Sequence, residues 1–265
     1  MNDNLQQFLN AKVVQYNCPS FIGNDPICIP HQFTLKQDIE IAGFFAALFA
    51  WGTRTSIINS CNNLLRIMDN KPYAFIMNWP IEAKTKYPLL EKFVHRTFNA
   101  TDLIYLLSFL HYHYCTKKQD SLETAFSKWM QVTDIDITNA LNGFHQYAFS
   151  ASISECISER TRKHIAAPFK KSACKRLNMY LRWMVRSDNN GVDFGIWKNI
   201  QPAQLICPID LHVARVAKRF HLLERRPIDW LAAQELTDYL RKMDASDPVK
   251  YDFALFGLGV VEKYQ

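Results

Sequence analysis

Apolar residues recur at helical spacing along almost the whole chain, and no convincing alternation of apolar and polar residues is longer than four positions. A period near 3.6 residues marks one face of an α-helix, whereas a half-buried strand has a period of two. The pattern therefore predicts an all-α fold. Apart from the segments described below, helices are expected over 72–78, 89–97, 102–114, 121–130, 136–150, 230–243 and 248–258.

The stretch TLKQDIEIAGFFAALFAWGTRTSIINSCNNLLRIMDN is expected to form two helices that meet at a short turn. Thr34 is a suitable N-cap, and Asp38 and Glu40 fall near the first turn, where the helix dipole favours acidic side chains. The turn is expected over 52–55, because glycine and threonine both weaken a helix.

A length of 265 residues suits one large domain or two modest ones. Residues 34–150 carry many large apolar side chains and short polar connectors, which is typical of a helical bundle. Residues 151–265 begin with a basic run and contain a loop rich in turn residues. We therefore expect two helical subdomains with a cleft between them: a bundle at 34–150, and a basic subdomain at 151–265 on which residues 1–33 pack.

The sequence lacks the features of secreted and membrane proteins. The segment MNDNLQQFLNAKVVQYN has no basic region leading into an apolar one, unlike a secretory signal, and the longest apolar run, IAGFFAALFAW, has about half of the ~20 residues that cross a bilayer. The seven cysteines are scattered without C-x-x-C spacing, which disfavours a disulfide framework and a zinc site. We expect a cytoplasmic protein with reduced cysteines and no membrane partner.

The positive charge of the chain is concentrated in one segment. The net charge is +6, and residues 160–186 hold nine Arg or Lys residues and no acid. Such clustering is typical of proteins that bind a phosphate backbone, because neutralised phosphates release counterions. A solvated basic face without a partner is the alternative.

Two residues of the C-terminal half could carry chemistry. In SACKRLNMYLRWMVR the apolar residues share one helical face, and Lys175 lies beside that face near the helix start. A partly desolvated lysine amine can act as a nucleophile, although most such lysines extend to water. In PIDLHVARVAKRF, Asp210 is placed to cap a helix, where a fixed carboxylate could also hold an amine or stabilise a developing cation. The capping role alone is structurally sufficient, and the two interpretations are compatible.

The segment CPIDLHVARVAKRFHLL resembles the helix-hairpin-helix (HhH-GPD) DNA glycosylase superfamily, in which the aspartate of this motif is the shared catalytic residue. CKRLNMYLRWM resembles the lysine-bearing helix of that superfamily and is closest in pattern to archaeal 8-oxoguanine DNA glycosylase. FFAALFAWGTRTSIINSCNNLL resembles the early helix pair that borders the DNA. Over its full length the chain resembles an uncharacterised bacterial family near this superfamily. The glycine-rich hairpin LPGVGxKTA, which grips phosphate through backbone amides, is replaced by APFKKSACKRL, which contains no glycine.

The resemblance implies a base-excision repair glycosylase that swings a damaged base, such as 8-oxoguanine, out of double-stranded DNA. Lys175 would attack the sugar and form a Schiff base, which adds abasic-site lyase activity, and Asp210 would stabilise the positive charge that develops on the sugar. Neither a metal nor another cofactor is required. Candidate nucleic-acid contacts are Thr53, Arg54, Lys170, Lys171, Arg176, Arg182, His212 and Arg215, and Trp183 is a candidate for stacking on the extruded base.

Two functions of other classes stay open at this point. The missing glycine hairpin permits a helical nucleic-acid-binding protein that has the glycosylase-like fold without catalysis, with RNA as well as DNA as a possible partner. An interaction scaffold that binds no nucleic acid is the third alternative. Salt distinguishes these two alternatives: it would weaken duplex binding steeply for a nucleic-acid-binding protein, whereas the scaffold would bind no duplex.

Overall fold

The computed structural model describes residues 3–150, 153 and 159–264. These residues are mostly helical, which confirms the all-α class. The chain divides into two compact units: unit 1 comprises Met1–Gly23, Met130–Asn142 and Ala166–Gln265, and unit 2 comprises Asn24–Trp129 and Gly143–Ile165. The segment Met130–Asn142 thus belongs with the C-terminal half, whereas the sequence-based division places all of 34–150 in one subdomain and 1–33 with 151–265 in the other.

The described residues form fourteen α-helices and one two-stranded hairpin. In chain order they are α1 Asp3–Tyr16, α2 Lys36–Leu48, α3 Arg54–Ile67, α4 Pro72–Met77, α5 Trp79–Thr85, α6 Tyr87–Leu90, β1 Val94–His95, β2 Phe98–Asn99, α7 Ala100–His111, α8 Thr124–Ser127, α9 Thr138–Ala148, α10 Glu159–Arg162, α11 Lys175–Val185, α12 Leu211–Arg219, α13 Trp230–Met243 and α14 Tyr251–Phe256. Short π-helical turns extend α7 over Tyr112–Thr116 and α14 over Gly257–Val261. Within these described ranges, no helix combines the length and apolar character that crossing a bilayer demands.

Two of the expected helices are wrong. The segment 89–97 holds only the end of α6, because the chain then turns back at Arg96, which has a left-handed backbone (φ +56), and pairs β1 antiparallel with β2. The segment 121–130 contains a single α-helical turn, α8. Both segments are short, so apolar spacing alone does not distinguish a helix from a compact turn there.

The two-helix prediction for the early apolar stretch is confirmed, with α2 ending at Leu48 and α3 starting at Arg54. Gly52 in the turn has φ +119, a conformation that suits glycine alone. Thr34 is not the N-cap of α2: Leu35 occupies that position and makes no side-chain cap bond. The interior of α2 is buried continuously from Ile39 onward, so packing rather than capping stabilises this helix.

Unit 2 is built around aromatic side chains that are fully buried, among them Phe44, Phe109, Phe126 and Phe144. The rings of Phe126 and Phe144 stack with their centroids 3.9 Å apart. Glu40 does not face solvent near the start of α2 but is fully buried. Its carboxylate accepts hydrogen bonds from several groups, which satisfies an otherwise costly buried charge. The donors are the Tyr114 hydroxyl, the Ser121 hydroxyl and the Leu122 amide.

In unit 1, α11 lies in the core. All of its residues from Leu177 to Val185 are buried. The irregular segment that follows folds back on the helix end, where the amides of Phe194 and Trp197 donate to the carbonyls of Trp183 and Met184. These bonds satisfy carbonyl groups that a helix C-terminus leaves without an intrahelical donor.

The last helix of unit 1 packs closely on the first. A Cβ atom placed on Gly257 would lie 2.2 Å from Cδ2 of Tyr16, so only glycine permits this approach of the α14 extension to α1. The phenol of Tyr16 in turn donates to Glu262, which also pairs with Lys12 at 2.6 Å. The C-terminal end of the described chain is therefore held against α1.

Candidate functional site

Asp210 caps α12 with one of its two carboxylate oxygens. Its backbone is extended (φ −128, ψ −170), and Oδ1 accepts hydrogen bonds from the amides of His212, at 2.9 Å, and Val213, at 3.0 Å. The motif requires this arrangement, because an aspartate before a helical run satisfies amides that have no partner inside the helix. The second oxygen, Oδ2, takes no part in the cap.

Lys175 is the first residue of α11 and faces that second oxygen. Its Nζ lies 3.2 Å from Oδ2 of Asp210, and the two side chains are 30% and 24% exposed, so the pair is partly open to solvent. The preceding residue, Cys174, has a left-handed backbone (φ +51), which starts the helix at the lysine. The structure therefore brings together the amine and the acid that are 35 positions apart in the sequence.

The charge of Asp210 depends on the groups around it. Burial raises the pKa of Asp210, but the positive charge of Lys175 and the hydrogen bond from the Val213 amide outweigh burial. The pKa of Asp210 consequently lies below its usual value, and the carboxylate is ionised at neutral pH. An ionised carboxylate next to an ammonium can accept a proton from it and can stabilise a neighbouring cation.

A second, buried set of charges lies on α11 two helical turns beyond Lys175. Arg182 donates to Asp252 and, at 3.3 Å, to Asp193, and its guanidinium lies 4.3 Å from the centroid of the Phe253 ring. Burial raises the pKa of Asp252 to about 6, against the positive charges of Arg182 and Lys175. Sequence reasoning missed Asp252; the only signal was an acid inside the apolar run YDFALFGLG, with nothing to identify its partner.

The thiol closest in sequence to Asp210 is no nucleophile. Cys207 is fully buried, and burial places the pKa of its thiol well above the usual value. A thiol in this state has almost no thiolate at neutral pH.

Two sequence-predicted site residues are corrected by the structure. Arg182 is only 3% exposed and is bonded to two carboxylates, so its guanidinium does not reach a nucleic-acid backbone. Trp183 is fully buried and offers no face to an extruded base. The apolar stripe of the sequence predicted an amphipathic helix, whereas α11 is buried on all sides from Leu177 to Val185.

Some cations of the basic run at 160–186 are buried or paired with acids, whereas others are exposed. Arg186 is 3% exposed and pairs with Asp188 at 2.7 Å and with Asp247 at 2.9 Å. Arg160 lies 3.5 Å from Asp102. These arginines stabilise the fold, so the run is not one continuous basic surface.

The remaining candidate residues lie in several places. On α12, His212 and Arg215 are exposed and follow Asp210 directly along the helix. Lys170 and Lys171 are exposed in the turn before α11, and Lys171 has a left-handed backbone (φ +57). Arg176 is half-buried, and burial lowers its pKa.

In unit 2, the other two candidates start α3. Thr53 is its N-cap, and its hydroxyl accepts a hydrogen bond from the Ser56 amide at 3.3 Å. Arg54 is the first residue of the helix and is half-buried. The threonine therefore has a structural role that is sufficient to explain its position.

Comparison with known proteins gives one match. The profile of a family described as "Protein of unknown function (DUF2400)" matches residues 25–261, which is most of the chain. Among curated proteins and among solved structures, none matches.

Proposed function

The chain belongs to the DUF2400 family, and we propose that it is a DNA glycosylase that removes a damaged base, such as 8-oxoguanine, and then cleaves the abasic site through a lysine Schiff base. One observation carries the proposal: Nζ of Lys175 lies 3.2 Å from Oδ2 of Asp210 at a partly exposed position. An amine nucleophile with an adjacent ionised acid is the arrangement that covalent catalysis at a sugar carbon requires.

The reaction starts with a proton transfer. Asp210 accepts a proton from the Lys175 ammonium, and the free amine attacks C1′ of the extruded nucleotide. The bond between C1′ and the base breaks, and the base leaves with its electron pair and takes up a proton. Opening of the sugar ring then forms the C=N bond of the Schiff base. Asp210 supplies the proton that the base takes up, which is the one that it accepted from Lys175, and the carboxylate that is thereby restored stabilises the positive charge that develops on the sugar.

We further propose that the helical fold is of the helix-hairpin-helix glycosylase type. The order of elements in unit 1 supports this part: a tight turn with left-handed residues at Lys171 and Cys174, the lysine at the start of α11, an irregular segment, and the aspartate at the start of α12. The turn adopts left-handed backbone at non-glycine residues, so the lack of glycine in APFKKSACKRL does not prevent tight turning.

Borohydride trapping tests the lyase. Duplexes that carry 8-oxoguanine or an abasic site are incubated with the protein and with borohydride, which reduces a Schiff base to a stable bond. We expect a covalent adduct with the wild-type chain and none with Lys175→Ala. Lys84→Ala, which removes an exposed lysine on α5, is the matched control and should retain the adduct.

A glycosylase without lyase activity would form no adduct, so release of the free base is measured in the same reactions. Asp210→Asn keeps a capping oxygen and removes the charge, and we expect it to slow base release about 100-fold or more. If the wild-type chain neither releases a base nor is trapped on any lesion, the proposal is wrong. A non-catalytic nucleic-acid-binding protein would then be favoured if the same duplexes still bind.

A further inference from the structure

A small basic pocket lies one helical turn beyond the lysine–aspartate pair. Its volume is about 250 Å³, and it is formed entirely within unit 1. The C-terminal residues form one wall and the exposed face of α12 forms the other. The lining residues are His212, Arg215, Gly259, Val260, Lys263 and Tyr264.

Among the residues that the structure describes, the lining carries positive charge and no carboxylate. Arg215 and Lys263 are both exposed, and among the described residues neither forms an ion pair with an acid. The acid nearest in the sequence, Glu262, is bonded to Lys12 and Tyr16. Two cations that converge on a pocket without a counter-charge favour an anionic ligand.

The wall that carries Lys263 is held in place. The amide of Glu262 donates to the Gly257 carbonyl at 3.1 Å, and the amide of Tyr264 donates to the Leu258 carbonyl at 2.9 Å. The Tyr264 ring stacks on Phe220 with centroids 5.5 Å apart. These contacts fix the backbone of this wall, and a preformed wall lowers the entropic cost of binding.

Glycine permits the close approach of the two walls. A Cβ atom on Gly259 would lie 3.1 Å from the carbonyl oxygen of His212 and 3.2 Å from its Cβ. The C-terminal turn therefore contacts the first turn of α12, directly beside Asp210. Arg215 is five positions after Asp210, which is about 7.5 Å along a helix axis.

We propose that this pocket binds one phosphodiester of the nucleic-acid strand whose nucleotide is presented to Lys175. The inference rests on the proposed function, and it adds Lys263 and Tyr264 to the site, which sequence reasoning did not select. The pocket is smaller than the 300–1,000 Å³ that is typical for drug-sized ligands, and it suits a single phosphate group. Arg215 and Lys263 contact the anionic oxygens, and Tyr264 closes the side of the pocket.

Duplex binding as a function of salt tests the pocket. The probe is a duplex that carries tetrahydrofuran, a stable abasic analogue, so that no cleavage occurs during the measurement. We expect Arg215→Ala/Lys263→Ala to weaken binding about tenfold at low salt and to reduce the slope of log affinity against log salt by about 1, because one phosphate contact is lost. Arg226→Ala/Lys242→Ala removes two exposed cations elsewhere in unit 1 and should leave the slope unchanged.

Inorganic phosphate provides the second arm. If phosphate binds the wild-type chain but not Arg215→Ala/Lys263→Ala, and the duplex slope is the same in both double variants, the pocket holds a free phosphate and the backbone assignment is overturned. An unchanged slope together with unchanged phosphate binding in Arg215→Ala/Lys263→Ala overturns the pocket altogether. Failure of the proposed function can be distinguished from failure of the pocket. A chain that forms no adduct and releases no base can still bind the duplex, and its binding can still be measured.

Discussion

At the scale of single residues, the two carboxylate oxygens of Asp210 contact different partners. Oδ1 satisfies two amides at the start of α12, and Oδ2 faces the amine of Lys175. The structural role and the chemical role are therefore carried by different atoms. Asparagine preserves a capping oxygen but has no charge, so Asp210→Asn separates the two roles.

The pH dependence of stability should show this separation. The folded-state pKa of Asp210 lies below its usual value, so the stability that its charge contributes is present at neutral pH and is lost as the pH falls through the folded-state pKa. We expect the wild-type chain to be more stable than Asp210→Asn by about 1 kcal/mol at pH 7, with the difference closing below a pH of about 4. Urea unfolding at several pH values measures it. A difference that persists unchanged at pH 3 would contradict the ion-pair interpretation.

For Asp252 we expect the stability of the folded chain to depend on pH with the opposite sign. Its folded-state pKa is raised to about 6 by burial, so the folded chain binds a proton more tightly than the unfolded chain between pH 4 and 6. The stability of the wild-type chain relative to Asp252→Asn should therefore fall as the pH rises through this window, by at most about 1 kcal/mol for each pH unit. Thermal or urea unfolding of both chains from pH 4 to 7 measures the change. A relative stability that rises with pH would show that Arg182 dominates over burial.

At the scale of elements, close packing of helices depends on glycine at defined positions. Gly257 lies where the α14 extension meets the ring of Tyr16, and an added Cβ would overlap that ring. We expect Gly257→Ala to destabilise the protein by about 2 kcal/mol, because overpacking forces backbone or side-chain shifts. The free energy of unfolding in urea is the measurement.

Gly23 is the matched control for that substitution. A Cβ atom on Gly23 meets nothing within 4 Å, and the residue lies in the same unit. Gly23→Ala should change stability by less than about 0.5 kcal/mol. Equal losses for the two variants would indicate a general effect of alanine rather than the contact with Tyr16.

At the scale of the whole molecule, the net charge of +6 is not a measure of the charge that is available to a partner. Arg182 and Arg186 are buried among acids, and Arg160 pairs with Asp102. The exposed cations of the basic run include Lys170 and Lys171. Burial has therefore converted part of an apparent binding surface into internal ion pairs, whose disruption costs stability rather than affinity.

The salt dependence of duplex binding tests whether the exposed lysines Lys170 and Lys171 contact nucleic acid. If both lysines contact phosphates, Lys170→Ala/Lys171→Ala should reduce the slope of log affinity against log salt by about 2, with unchanged unfolding in urea. Lys84→Ala/Lys92→Ala removes two exposed lysines elsewhere and serves as the control. Equal slopes for the two double variants would exclude the turn before α11 from the binding surface.

Local features of the chain were readable from the sequence. The helical class, the helix pair on either side of Gly52, the bounds of α13 and the capping position of Asp210 all follow from apolar spacing and from side chains that bond amides two or three residues away. The approach of Lys175 to Asp210 was expected only from the resemblance to a superfamily. Their catalytic role stays a prediction.

The sequence by itself determined which segments are helical and where several of them begin, because these choices depend on contacts within a few residues. Only the tertiary structure decided that Trp183 is inaccessible, that Arg182 is bound to Asp252 seventy positions away, and that Lys263 lies beside α12. Burial and distant pairing depend on how the helices pack. The local sequence around an arginine does not determine whether its side chain is exposed or buried.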